Sequence, residues 1–556
     1  MKQQVLFFFF TLMLTGISVS AQTGGGRIAG VVIDNAGEEP LPGATIFIEE
    51  LKKGIVTDGH GEFLLSDVPA ATYTLTVRFI GYHTQTRKLT VGKERGKKII
   101  IRLKAEAKSL DEVVVMGKSE ARKLREQAMP ISVISMNQIQ GTVNNVQDIL
   151  AKTAGITVRA TGGTGSTSRI SVRGLEGKRI GLFIDGNPMN DNSDFIDIND
   201  IPVEMIDRIE IYKGVVPAKF GGSAVGGAVN IVIKEYPPKY LDVNYSYGRF
   251  NAHNASVVSK MNIAPKGIEF GLGGFYTYAD NDYKMKSPFQ EGLTITRDHD
   301  KFKKTVIGGS FKARKWWFDL VEFEPVFIHT YKDIQGIESN IRHAHSHSNA
   351  FIFANKMEKE NFLLDGLDLD WQLGYIYTDY HFADTASHRT HWDGTHYPAV
   401  SEFGGEIGKW ASLLTNEKHQ LQHKLNLNYL VNENHSVNFN SLLKYAHANP
   451  RDGMKDKVIG YRTDFPSNMF SWVAGLNYDY RTSNDKFLNS FNVKYYYYSM
   501  KTRMASVLVK TAEDIDTHKN DFGISNALRY RITPSLMAKA SFGYDVRLPS
   551  EEELLG

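Results

Sequence analysis

Histidine is the most prominent candidate for chemistry in this sequence. His343, His345 and His347 alternate with other residues, and His388, His391 and His396 follow in a second polar stretch just after His381. Neutral imidazoles ligate iron, haem and other metal complexes; the same spacing also suits solvated loops. Thiolate chemistry is excluded, because none of the 556 residues is cysteine. That removes disulfides, a Cys nucleophile and a lipid-bearing Cys. His419 and His423 have the spacing of half a zinc-protease motif, but Gln420 stands where the general base belongs. On a strand, residues four apart lie roughly 13 Å from each other, too far to share one ion. No His-x-x-Glu pair occurs, so peptidase chemistry has no centre. Asp191, Asp194, Asp197 and Asp200 lack the glycine and terminal Glu of a calcium loop. Gly117-Lys118-Ser119 ends like a phosphate-binding loop, yet Glu112 occupies the place of its first glycine.

The elements that must position these residues begin with a segment that reads as a secretory signal over residues 1–21. Lys2 precedes the apolar run Val5–Leu14, and Val19-Ser20-Ala21 offers small residues ahead of a cut before Gln22. Beyond it no long apolar run appears, and mean hydropathy is −0.30. That disfavours a membrane-spanning helix but is silent on a β-barrel, whose strands alternate apolar and polar residues. Net charge is only +3, from 65 basic and 62 acidic side chains, so no field favours nucleic acid. Residues 22–107 carry short β-rich runs separated by turns such as Asp58-Gly59-His60-Gly61. They read as a small β-sandwich.

The stretch Leu110–Gly117 is acidic and then β-branched. Asp111 and Glu112 lead into Val113, Val114 and Val115, which favour an extended backbone. It is either an edge strand of the preceding module or a peptide meant to pair with another protein's sheet edge. Mixed α/β patterning follows, including a helix from Asn145 to Thr153 ended by Gly155, and a flexible Gly-rich loop running to Ser168. Four short motifs then recur in order: Ile170-Ser171-Val172-Arg173-Gly174, Phe183-Ile184-Asp185-Gly186, Ile206-Asp207-Arg208-Ile209-Glu210-Ile211, and Gly226-Gly227-Ala228-Val229-Asn230-Ile231.

Together these motifs resemble the plug domain of TonB-dependent outer-membrane receptors, over residues 108–238, and the β-sandwich resembles a carboxypeptidase regulatory-like domain. The resemblance implies that Asp111 to Val115 form the box that pairs with the energy-coupling protein TonB. It also implies that Arg173, Gly174, Asp185, Gly186, Arg208, Glu210, Gly226, Gly227 and Asn230 are plug residues, whose charges either satisfy one another inside a barrel lumen or touch substrate.

From Lys239 to residue 556 the period is 2. Leu421, His423, Leu425, Leu427 and Tyr429 share one face, and Gln422, Lys424, Asn426 and Asn428 the other. About 13 strands can be counted by period and turn position. Tight links, near Asn432–Asn434 and Ser483–Asp485 among others, alternate with long ones. The long ones run about Asp280–Lys301, Tyr331–Ser346, Ala383–Ala411, Pro450–Ser467 and Arg503–His518. Short turns alternating with long loops are the topology of an outer-membrane barrel, with Trp316, Trp317, Tyr375, Tyr377 and Tyr495 to Tyr498 as interfacial girdles.

The expected fold is therefore mainly β: a small β-sandwich, an α/β plug, then an incomplete transmembrane antiparallel β-barrel. Barrels of this family have about 22 strands, so the chain is expected to be a fragment. The expected role is energy-coupled import with no enzymatic activity and no required cofactor. The partners would be TonB, outer-membrane lipid and a small-molecule substrate. An iron chelate or haem is favoured by the histidines, with glycan or peptide import, or a non-transporting signalling or adhesion receptor, as alternatives.

Overall fold

A computed structural model describes residues 26–549 and residue 553, apart from 36, 80–81, 93–97, 105–119, 136–145, 161, 167, 190–197, 199–200, 223, 264–266, 315, 400–402 and 507–509. The signal segment, the stretch Leu110–Gly117 and all four of Asp191, Asp194, Asp197 and Asp200 therefore lie outside the described residues. The chain divides into two compact units, Met1–Gly117 and Lys118–Gly556.

The first unit is the expected sandwich. One sheet orders Glu62–Val68, Gly26–Asp34 and Ile99–Leu103; the other orders Lys53–Val56, Thr45–Ile48, Thr72–Arg78 and Gln85–Thr90. Alternate residues turn inward, so Ile46, Ile48, Leu75, Ile101 and Leu103 meet in one dry core.

The second unit holds the plug and a large sheet. A mixed five-stranded sheet has Ala228–Ile233 at its centre, between Gly181–Ile184 and Ile206–Tyr212. Near-continuous apolar runs suit a sheet covered on its faces. The helix Val146–Ala151 packs Val146, Ile149 and Leu150 against Ile209, Ile211, Val229 and Ile231.

Beyond the plug, 13 strands among the described residues form a single sheet, each pairing antiparallel with the next strand of that sheet along the chain, from Lys239–Gly248 to Met537–Tyr544. Strand parity sorts the side chains. Leu421, Phe353, Tyr375 and Phe439 are exposed on the outer face, whereas Lys424, Asn426, Asn440 and Lys494 are buried on the lumen side. The same parity corrects the girdle: Tyr496 and Tyr498 are buried at 0% and 2% exposure, so that aromatic run faces both ways. No helix among the described residues is long and apolar enough to cross a membrane.

The connections differ from expectation in instructive ways. Arg503–His518 is not a long loop. Strands Phe487–Ser506 and Thr511–Arg531 continue through it, with Lys501 paired to Asp516 at 3.0 Å and Arg503 to Asp514 at 2.7 Å. Cross-strand ion pairs maintain the ladder where hydrophobic alternation has faded. Asp280–Lys301 contains its own hairpin, Tyr283–Lys286 with Thr294–Arg297. The sequence also suggests tight links at Ala313-Arg314-Lys315 and Glu358–Asn361, but both turns are wider, with the next strands starting at Leu320 and Leu367.

The Gly-rich loop 162–166 is docked rather than free. Asn281 brackets Thr164, accepting from its N–H at 3.0 Å and donating to its carbonyl at 2.9 Å. Lys332 Nζ donates to Gly165 O at 2.9 Å. Gly165 sits at φ +77°, and a Cβ there would overlap the ring of Phe302. Gly165→Val therefore should undock the loop at a cost of about 2 kcal/mol or more. Hydrogen exchange of residues 162–166 in the folded protein should rise at least tenfold; unchanged protection would show that the docking is not needed.

Candidate functional site

The plug motifs converge on one hydrogen-bonded chain. The strand Ile206–Tyr212 places Arg208, Glu210 and Tyr212 two residues apart, so they share a face. Arg208 Nε donates to Glu210 Oε1 at 2.8 Å and Arg208 Nη1 to Asp207 at 2.9 Å. Glu210 Oε2 accepts from Tyr212 OH at 2.9 Å and from Asn230 Nδ2 at 3.0 Å. Asn230 lies opposite Glu210 in the sheet, and its Oδ1 accepts the Gly186 N–H at 2.9 Å. From the barrel wall, Lys424 Nζ donates to Gly186 O at 2.7 Å. Glu210, Asn230 and Lys424 are each only 3% exposed.

Charge follows this geometry. Burial opposes the charge on Arg208, but Glu210 and Asp207 outweigh it and raise its pKa. Burial, with Glu210 beside it, pushes the Tyr212 hydroxyl far up. Asp185 adopts φ 47° in the turn before Gly186 and accepts the Ile233 N–H at 3.1 Å. Enclosure raises its carboxyl to about 6, against the lowering effect of that N–H. A cavity of about 1740 Å³ runs between plug and wall here, lined by Asp185, Arg208, Glu210, Asn230 and Lys424 and reaching Asn434 in a short turn.

Of the motif residues, Gly186, Arg208, Glu210 and Asn230 thus bond to one another, Asp185 takes the Ile233 N–H instead, and Arg173, Gly226 and Gly227 stand apart. Arg173, at φ 52° beside Gly174, is exposed, and its backbone N–H donates to Gly155 O at 2.9 Å. Gly226 and Gly227 act through backbone: the Gly226 N–H donates to Arg179 O at 2.9 Å, and Gly227 sits at φ +115° against Tyr212 O.

The plug begins at the short-turn end of the barrel. Glu126 pairs with Arg531 at 2.9 Å, Arg531 with Asp485 at 2.9 Å, and Lys539 Nζ donates to Arg125 O at 2.7 Å and Met129 O at 2.9 Å. Asp485 lies in the turn between Ser467–Arg481 and Phe487–Ser506. Lumen-facing lysines and Glu126 were not singled out from sequence, although period 2 already placed Lys424 on the polar face.

The histidines separate into distinct groups. His343, in a loop, sets Nδ1 3.3 Å from Glu406, a buried carboxylate that also accepts the backbone N–H groups of Arg342, His343 and Ala344. The His343 ring lies 6.2 Å from His388, and His388 4.5 Å from His396. His388 and His396 belong to a small hairpin, while His391 stacks on Tyr397 at 4.2 Å. His345 and His347 are not in a loop. They lie on the strand His345–Lys359 with the parity of exposed Phe351 and Phe353, hence on the outer face. Strand pairing there moves them away from the lumen. Among the described residues no three His, Asp or Glu side chains form a metal-holding group. His419 and His423 also face outward, bonded to Tyr375 OH at 2.8 Å and Trp371 Nε1 at 2.7 Å.

Two family models match consecutive parts of the chain: a carboxypeptidase regulatory-like domain over residues 28–115 and the TonB-dependent receptor plug domain over residues 123–228. A regulatory-like domain, a plug domain and a large antiparallel sheet, in that order, resemble the build of TonB-dependent receptors. A TonB-dependent receptor of Formosa agariphila is 28% identical over 44% of this chain and 23% of its own length. A vitamin B12 transporter of Vibrio vulnificus is 31% identical over 46% of this chain and 43% of its own length. The chain thus spans less than half the length of these curated relatives. A solved copper transporter superposes with a TM-score of 0.58 at 15% identity, over 75% of this chain and 63% of that one, a likeness of fold. A receptor of this build resides in the outer membrane. Its short turns then face the periplasm, the end at which Glu126 holds the start of the plug.

Proposed function

We propose that this receptor imports a small, scarce substrate across the outer membrane, energised by TonB through Asp111–Val115. The observation that carries the reading is the plug chain from Arg208 to Lys424, seated inside a barrel wall with the plug's beginning held at the periplasmic end. A pull applied just before residue 120 would load the Glu126–Arg531 pair first and then the lysine–carbonyl contacts at Gly186 and Gly165. Each of those contacts is a charge-assisted hydrogen bond worth about 1.5–3 kcal/mol, so they can yield one at a time. The function assigned is transport, without catalysis or a resident cofactor.

For cargo, a metal complex such as an iron chelate or haem fits best. His343, His388 and His396 gather at the loop end of the barrel, and relatives with related plugs or folds carry vitamin B12 and copper. Glycan or peptide is the second reading. Changing His343, His388 and His396 together to Ala should lower uptake of labelled haem or ferric chelate about tenfold, in line with the loss of one or two ligand contacts. Changing His345, His347 and His391 should leave it near wild type. Unchanged haem and iron uptake in the first variant would remove the metal argument and turn attention to glycan and peptide. The carboxypeptidase regulatory-like match extends to Val115, so the edge-strand alternative for this stretch predicts that its deletion leaves function intact.

A further inference from the structure

The outer face of the barrel changes character along the strands. Ile307, Phe327, Phe351, Tyr377 and His419 face one another across consecutive strands and form a largely apolar and aromatic row. Four residues nearer the loop ends, the same pairings bring together Lys303, Tyr331, His347, His381, Thr415 and Arg451. Four residues along a strand is about 13 Å, or about 10 Å in height at the usual tilt of such barrels. The second row therefore lies at headgroup depth above a hydrocarbon-facing belt.

The chemistry of this upper row is distinctive. It consists of cations, imidazoles and hydroxyls, and contains no carboxylate. Lys303 and Arg451 are exposed, and among the described residues neither is joined to a carboxylate. His347 and His381 stack at 4.5 Å with their planes 9° apart. The nearest acids flank the row: on the loop side Asp333 accepts from Tyr331 OH at 2.7 Å, and one row lower Asp379 takes His381 Nε2 at 2.9 Å with Glu417 beside it. From Lys303 to Arg451 the row crosses five strand spacings, about 24 Å, room for more than one lipid headgroup.

We propose that this row is a docking surface for the phosphate groups of outer-leaflet lipid. Ammonium, guanidinium and imidazole groups, from Lys303, Arg451 and His347, supply donors to phosphate oxygens, and Thr415 adds a hydroxyl between them. The apolar row beneath supplies the acyl contact, which commits the occupant to a membrane lipid rather than a free anion. The inference needs only the outer-membrane placement, so a failure of uptake would leave it standing.

The test titrates the folded receptor in detergent with short-chain phosphatidic acid, with phosphatidylcholine of the same chain length, and with inorganic phosphate, reading bound lipid by native mass spectrometry. Wild type should retain phosphatidic acid about tenfold more tightly than the combined K303Q, H347Q, H381Q and R451Q variant. Lys501→Gln, on the same face but paired with Asp516 at 3.0 Å, should bind like wild type. Heat-modifiable migration checks that the combined variant is folded. Were it not, K303Q and R451Q, both at exposed positions, would each be expected to weaken binding. Equal retention by folded variant and wild type overturns the proposal. So does equal binding of phosphatidylcholine, or inorganic phosphate binding as well as the lipid.

Discussion

Val114→Pro is expected to abolish energised uptake while leaving substrate binding at the cell surface intact. Proline removes one main-chain donor and fixes φ, so a segment that pairs with a partner's sheet edge loses its own bond and distorts the next. Two main-chain hydrogen bonds at roughly 0.5–1.5 kcal/mol each amount to about 1–3 kcal/mol, or a tenfold to hundredfold weaker association. Affinity of a peptide spanning Leu110–Gly117 for the periplasmic domain of TonB should fall by that factor, and uptake should approach the level in cells without TonB. Val114→Thr keeps the donor and the β-branched shape, and should retain both. Uptake unaffected by the proline would sink the import reading in favour of a receptor that does not transport.

Glu210→Ala should have the largest effect on the plug itself. The Glu210 carboxylate is 3% exposed and accepts from Arg208, Tyr212 and Asn230. Truncation leaves the Tyr212 hydroxyl and the Asn230 amide without their acceptor, and deprives Arg208 of one of its two carboxylates. Each buried donor left unsatisfied costs about 1–3 kcal/mol. A total of about 3 kcal/mol corresponds to roughly a hundredfold rise in opening. Hydrogen exchange of Ile206–Tyr212 and Ala228–Ile233 in the intact receptor should accelerate by that factor, because those strands meet at Glu210 and Asn230. The barrel strands should not change. Unaltered exchange in the plug would mean that the network contributes nothing to its stability. Glu210→Gln keeps one acceptor and should lie between the two.

Much of this architecture was legible because its determinants are local. Alternation at Leu421–Tyr429 announced a strand with one lipid-facing side. The phase of that alternation already placed Lys424 on the lumen side, since successive side chains on a strand must point oppositely. The motifs around Arg173, Asp185, Arg208 and Asn230 identified a plug because their order along the chain is itself information. Their charges, Arg173 among them, are expected either to satisfy one another or to touch substrate; the fold joins Arg208, Glu210 and Asn230 and leaves Arg173 apart.

Other features depended on contacts distant in sequence. Thr164 meets Asn281 across 117 positions and Arg531 meets Glu126 across 405, and no periodicity encodes such pairings. The docked loop 162–166 therefore looked flexible, since its glycines signal mobility until Phe302 and Asn281 are found filling the space a Cβ would need. The histidines show the same division. Their number and clustering in two stretches are sequence properties, and they left metal ligation and solvated loops both open. Extension of the strand to His345 instead turned His345 and His347 outward, while a separate hairpin and Glu406 gathered His343, His388 and His396. Residue type and period thus settled which side chains could do chemistry and which face each strand offers. Strand length and long-range pairing, set by main-chain hydrogen bonds and excluded volume, decided which of those side chains meet.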